Sequence, residues 1–141
     1  MNLFAPVTLA LALVGAATAA PTAEGYLVIV NVANPVSKLP KDQVSKIFMK
    51  KVQKWDSGQA IAVVDQDQSS PARAAFSKAV HGKPVSAVAS YWQQQIFAGR
   101  EVPPTEKAND AAVIAFVKSN AGAVGYITGS VPPDVKAVEV E

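Results

Sequence analysis

From residue 26 onward, short apolar runs alternate with stretches whose apolar positions recur every three or four residues. Residues 26–32 form an almost unbroken apolar run, the pattern of a strand covered on both faces, and Asn34-Pro35 ends it. Pro40-Lys41-Asp42-Gln43 opens a helix in which Val44, Ile47 and Phe48 share one face. Trp55 precedes a turn at Asp56-Ser57-Gly58, and residues 60–64 read as a second buried strand that gives way to Asp65-Gln66-Asp67-Gln68-Ser69-Ser70. Ser70 suits a helix N-cap and Pro71 the first helical turn. Ala72, Ala75, Phe76, Ala79 and Val80 repeat at helical spacing, and Gly82 is placed to stop that helix. Pro84 starts the next one, with Val85, Val88, Trp92 and Ile96 on one face and Gly99 at its end. Residues 100–108 read as a polar loop containing proline. Asn109 then caps a helix carrying Val113, Phe116 and Val117, which Asn120-Ala121-Gly122 terminates. Residues 123–128 and 135–140 read as strands. The predicted order β, α, β, α, α, α, β, β places the chain in the α/β class, with a mixed sheet flanked by helices.

Composition narrows the chemistry. At 141 residues the chain has room for one domain, and its net charge of +2 lacks the basic excess of a nucleic-acid binder. With no Cys, disulfides, thiolate metal sites and cysteine nucleophiles are excluded, and the one His, His81, excludes a multi-histidine metal site. No metal and no cofactor are expected. Residues 1–19 carry no Lys, Arg, Asp or Glu; an apolar run at 9–14 leads into small residues ending in Ala17-Thr18-Ala19. This is the pattern of a cleaved secretory signal, too short and alanine-rich for a spanning helix of roughly 20 apolar residues. The expected organisation is a signal at 1–19 followed by one domain at 20–141, exported to the periplasm or secreted.

Four features could carry chemistry. The first is the strand-to-helix junction at 64–73, where unpaired helix N–H groups, the Ser69 and Ser70 hydroxyls and Arg73 would together suit an oxyanion beyond the carboxyl end of a strand. The alternative is a plain capped helix with Arg73 in solvent. The second is Asp65-x-Asp67-x-Ser69. A calcium loop would need Gly and Glu where Ser70 and Phe76 stand. A phosphatase of the haloacid-dehalogenase type would need a further acid after a strand, and Thr128-Gly129-Ser130 supplies none. The third is a run of six lysines, Lys38, Lys41, Lys46, Lys50, Lys51 and Lys54, against Asp42 alone; it is a docking face for an acidic partner or simply the wet side of a helix. The fourth is Trp92-Gln93-Gln94-Gln95, read as a core Trp followed by surface glutamines, with His81 read as a surface residue past a helix end. No nucleophile–base–orienter set can be assembled, so no catalytic residue is expected.

Three segments together resemble the periplasmic phosphate-binding proteins of ABC importers. Gln43-Val44-Ser45-Lys46-Ile47-Phe48, followed by Trp55 and Gly58, resembles their Q-x-x-x-I-F-x-G … W-x-x-G stretch. The run from Ile61 through Asp65, Asp67, Ser69, Ser70 and Pro71 to Phe76 resembles their strand and R-x-D-G-S-G-T anion loop, and Gly122-Ala123-Val124-Gly125-Tyr126-Ile127 their G-x-I-G-Y-V strand. The resemblance implies one lobe of a periplasmic-binding-protein-like fold and a non-enzymatic solute-binding role tied to phosphate uptake. It implies Ser69, Ser70 and Arg73 as anion contacts, with Asp67 accepting a proton from a protonated oxyanion. The anion loop departs from the family at three places: the family Arg is Asp65, the Gly is Ser70, and the Thr is Pro71, which has no N–H to donate. Weak binding of phosphate or another oxyanion is therefore expected, with a protein partner or second subunit able to complete the clamp. The alternative is a secreted interaction module that has lost its ligand.

Overall fold

Strand β1 (Leu27–Asn31) is buried throughout and apolar up to Val30 because helices cover both of its faces. The computed structural model describes residues 25–141, so the expected leader at 1–19 lies outside the described residues. After β1 come β2 (Lys38–Leu39), α1 (Lys41–Phe48), β3 (Ala62–Gln66) and α2 (Pro71–Phe76), which runs directly into a π-helical turn (Ser77–His81). The chain continues with α3 (Val85–Phe97), β4 (Thr105–Lys107), α4 (Asp110–Ser119), β5 (Ala123–Ile127) and β6 (Val135–Val140).

All six strands join one mixed sheet in the order β2-β6-β1-β5-β3-β4. β1 runs antiparallel to both neighbours, pairing Val28 with Tyr126 of β5 and with Val138 of β6. β3 runs parallel to β5 and to β4. The two-residue side-chain period divides the core. Val28, Val30, Val124 and Tyr126 face α1 and α2, where they meet Val44, Ile47, Phe48, Ala72 and Phe76. Leu27, Ile29, Val64 and Ile127 face α4 and its Val113 and Val117. The Tyr126 and Phe76 rings stack at 4.0 Å between centroids, which fixes α2 on the sheet. On the opposite face Gly125 lets α4 approach: a Cβ there would lie 2.7 Å from a methyl of Val113 and 2.7 Å from one of Val64. Asn31 Nδ2 donates to the carbonyls of Val117 and Lys118, satisfying acceptors that the end of α4 leaves open.

The α/β class and the flanked mixed sheet agree with expectation, but several local readings need correction. The loop expected at 100–108 contains β4, and a two-residue strand precedes α1. β3 extends two residues further than its apolar run, carrying Asp65 and Gln66 into the interior. Ile96, expected on the buried face of α3, is exposed, while Val88 and Trp92 are buried as expected. His81 is not a free surface residue: its ring packs edge-on against Phe76, and Nδ1 lies 2.7 Å from Ser45 Oγ. Three lysines of the basic run are paired, Lys38 with Glu141, Lys46 with Asp42 and Lys50 with Glu101.

Candidate functional site

Three parallel strands, β3, β4 and β5, end at the same edge of the sheet. The chain beyond their carboxyl ends forms a cleft of about 510 Å³. Its walls are Gln66 at the end of β3, Ser69 to Ala72 at the start of α2, Ala108 to Ala111 at the start of α4, and Thr128 after β5. The location is the one at which open α/β sheets bind ligands. It follows from local signals. Pro71 occupies the first turn of α2, and the Ser70 hydroxyl accepts the Arg73 N–H. Asn109 caps α4 by accepting the Ala112 N–H at 2.9 Å. The starts of two helices, α2 and α4, therefore border one space.

Of the four expected ligand-binding residues, Ser69 and Ser70 line this cleft. Asp67 stands just outside it, exposed, and accepts both the Ser69 N–H (2.9 Å) and the Ser69 hydroxyl (2.6 Å). Those two hydrogen bonds, the hydroxyl's foremost, hold the Asp67 carboxyl below its ordinary range. Arg73 points inward instead. Its residue is 3% exposed. Nη1 donates to Glu106 at 2.7 Å and to the Gln66 carbonyl at 2.9 Å, and Nε lies 3.6 Å from Asp65. Burial works against that cation, but Asp65, Glu106 and Tyr126 outweigh it and hold its pKa above the usual value.

Asp65, which stands where the resembling family has Arg, is the buried counter-charge of Arg73. It accepts the Tyr126 hydroxyl and, at 2.9 Å, the Gln66 N–H. Burial pushes its carboxyl upward against the pull of Arg73, Tyr126 and Gln66. Burial and Asp65 together push the Tyr126 phenol upward, so the phenol keeps its proton and donates. The cation expected at the cleft is thus spent beneath it. Lys107, adjacent in the chain, sits 5.8 Å over the Phe116 ring.

Two residues that the sequence did not single out complete the cleft. Gln66 is fully buried; its Oε1 accepts the Ser70 hydroxyl at 2.7 Å, and its Nε2 donates to the Tyr126 carbonyl at 2.9 Å and to Asp110 at 2.8 Å. Asp110 also accepts from Thr128 Oγ1 (2.7 Å), Thr128 N (3.0 Å) and Gly129 N (3.3 Å). Partial burial raises the Asp110 carboxyl, but the hydrogen bonds from Thr128, Gln66 and Gly129 together outweigh it and leave it below its usual range. Asp110 is the one charged side chain among the residues lining the cleft. Each hydroxyl on the walls gives its only proton to an internal acceptor: Ser69 to Asp67, Ser70 to Gln66, Thr128 to Asp110. What the wall hydroxyls leave toward solvent is therefore mainly acceptor surface. Among the described residues no group of three or more His, Asp or Glu is placed to hold a metal ion, and no helix is long and apolar enough to cross a membrane.

Several solved structures share this fold. A structure described as a phosphate ABC transporter substrate-binding protein with bound phosphate, from Clostridium perfringens, is 27% identical with a TM-score of 0.65, over 82% of this chain and 44% of that one. An ABC-type phosphate transport receptor from Vibrio cholerae is 29% identical with a TM-score of 0.64, over 82% of this chain and 46% of that one. PstS from Borrelia burgdorferi, at 12% identity and a TM-score of 0.56, shares the fold over 83% of this chain and 47% of its own. The chain therefore spans less than half the length of these proteins. No curated protein matches it. Residues 20–137 match the family described as PBP superfamily domain, and the chain belongs to that family.

Proposed function

We propose that the protein is an exported, non-enzymatic solute-binding lobe related to the binding component of phosphate importers, and that it holds a small oxyanion weakly and in a protonated form. The observation that carries the reading is the cleft where β3 and β5 end, with the starts of α2 and α4 opening onto it and Ser69 and Ser70 on its wall. First-turn amides supply donors to an oxyanion. Arg73 lies beneath as a charge already balanced by Asp65 and Glu106, and Asp67 orients Ser69. Asp110 sets the preferred charge state. An oxyanion that keeps an O–H can donate to it, whereas a fully ionised one meets a like charge in the same cleft. The apolar run and small residues at 1–19 would be the export signal. The two transport-protein neighbours at 27% and 29% identity support the solute class.

A second reading, an interaction module of the same fold, is favoured by one observation. Phe97 is 94% exposed at the end of α3, with Ile96 and Val102 also exposed, next to the Lys50–Glu101 pair. Thermal-shift titrations with phosphate, sulfate and nitrate at pH 6 and pH 8 separate the two. Oxyanion binding gives a saturable rise in Tm with phosphate that is larger at pH 6. A flat response to every anion at both pH values favours the interaction module and overturns the solute reading.

A further inference from the structure

We propose that Gln66, Thr128 and Gly129 form an oxyanion seat which the chain fills with its own Asp110 carboxylate, making Asp110 the residue that determines which solute charge the cleft accepts. The inference rests on the solute-binding reading of the cleft and names the element that limits it. The donors come from separate elements. Gln66 Nε2 projects from the end of β3, and Thr128 N, Thr128 Oγ1 and Gly129 N come from the chain after β5. They converge on a carboxylate carried by a third element, the start of α4. Two oxygens sharing one negative charge and accepting four hydrogen bonds are what an edge of phosphate or sulfate would present to the same donors. Gln66 cannot turn its amide away, because its oxygen takes the Ser70 hydroxyl and its nitrogen is also held by the Tyr126 carbonyl. The Gln66 arm of the seat is therefore held in place whether or not Asp110 is present.

The surroundings explain why a tethered anion sits there. The one cation beneath the cleft, Arg73, is already engaged by two acids, Asp65 and Glu106, and Lys107 is turned toward Phe116. No side-chain cation among the lining residues competes for Asp110. The carboxylate also borders the open cleft, so shortening it would expose the donor set to solvent and to ligand. Two dianion oxygens and the carboxylate cannot share the four donors, and the loser keeps an unscreened like charge beside it. Removing Asp110 removes both the competitor and the repulsion.

The test is isothermal titration of the folded chain with inorganic phosphate at pH 6 and pH 8, for the wild type, Asp110→Ala and Asp110→Asn, with circular dichroism confirming the fold of each. Asp110→Ala is expected to bind phosphate at pH 8 with a Kd lower than the wild type by about tenfold or more, the change that a single removed charge contact produces. The preference for pH 6 over pH 8 should shrink in the same variant. An Asp110→Ala Kd equal to or weaker than the wild type overturns the seat. If Asp110→Ala does not fold, Asp110→Asn decides: it removes the charge while keeping an acceptor, and an unchanged Kd overturns the seat while about a threefold gain supports it. The wild-type arm separately tests the function. Wild-type binding with no gain in the variants keeps the solute reading and sinks the seat. A silent wild type with binding in Asp110→Ala keeps the seat and sinks oxyanion binding by the natural chain.

Discussion

His81 ends the π-helical turn with its ring against Phe76 and Nδ1 beside the Ser45 hydroxyl. Burial first, then the positive charges of Arg73 and Lys83, lowers its pKa to about 4. The unfolded chain titrates this group near 6.5. Above that pH both states are neutral at His81 and the group has no effect. As pH falls from about 6.5 toward about 4 the unfolded state gains a proton that the folded state refuses, so stability falls with it. Allowing for the ring's partial exposure, the loss attributable to His81 is on the order of 2 kcal/mol. Urea denaturation at pH 7 and pH 4.5 should show the wild type losing more stability than His81→Gln by about that amount; equal losses would mean that the ring titrates freely in the fold. The same region shows what single residues disclose. Ser70 as a cap and Pro71 in the first turn are legible because their signals lie within four residues of each other. The role of Arg73 is not, because its partners Asp65 and Glu106 come from elsewhere in the chain and only folding brings them together. Asp65 and Gln66 read as the start of a loop for the same reason: their polarity is visible, but Tyr126 and Asp110, which satisfy it, are 61 and 44 residues away.

Among the elements, β5 shows how tightly the layers fit. Its alternation sends Val124 and Tyr126 to one core and Ala123 and Ile127 to the other, with Gly125 facing α4. A methyl group at Gly125 would press on Val113 and Val64 at once, 2.7 Å from each. Both are β-branched and have few alternative rotamers, so neither can yield easily. Gly125→Ala should therefore cost about 1–3 kcal/mol in chemical denaturation through overpacking. A companion Val113→Ala should recover part of that loss, since it opens the space the new methyl needs; a neutral Gly125→Ala would mean that α4 can shift away from the sheet. Elements with strong apolar period are legible in the sequence: β1, α1, α4 and β5 fall within a residue or two of their expected positions. β4 is not, because Thr105-Glu106-Lys107 is a short polar edge strand with no apolar period, defined by backbone pairing to Val64, Asp65 and Gln66. That edge nonetheless sets the site, since it carries Glu106 to Arg73 and delivers the chain to Asn109 and Asp110 at the cleft.

Across the whole molecule, stability is unevenly distributed. β1 and β5 lie in the middle of the sheet, buried at every residue and covered by both cores. α3 lies outside that arrangement. Its apolar anchorage is a small separate cluster of Val88 and Trp92 with Met49, and Tyr91 packs at its margin. Beneath it is a cavity of about 130 Å³, lined on the α3 side by Ala89, Trp92, Gln93 and Ile96 and opposite by Arg73 and Glu106. Its last turn exposes Ile96 and Phe97. A helix with so little buried apolar surface should open without the rest of the chain. Native-state hydrogen exchange should find α3 amides exchanging at a free energy roughly 2 kcal/mol or more below those of β1 and β5, with little dependence on low concentrations of urea. Val88→Ala should lower the opening energy of α3 further, because it removes one of two buried anchors, while leaving the β1–β5 difference from the unfolded state less affected. Exchange of α3 in step with β1, with the same urea dependence, would instead show that the helix belongs to the cooperative core. Because Arg73 and Glu106 line the space under α3 while α2 and β4 hold them beneath the cleft, opening of α3 would hydrate the ion pair that keeps Arg73 turned inward. The helix expected to open first therefore borders Arg73, the charge that the sequence suggests as an anion contact.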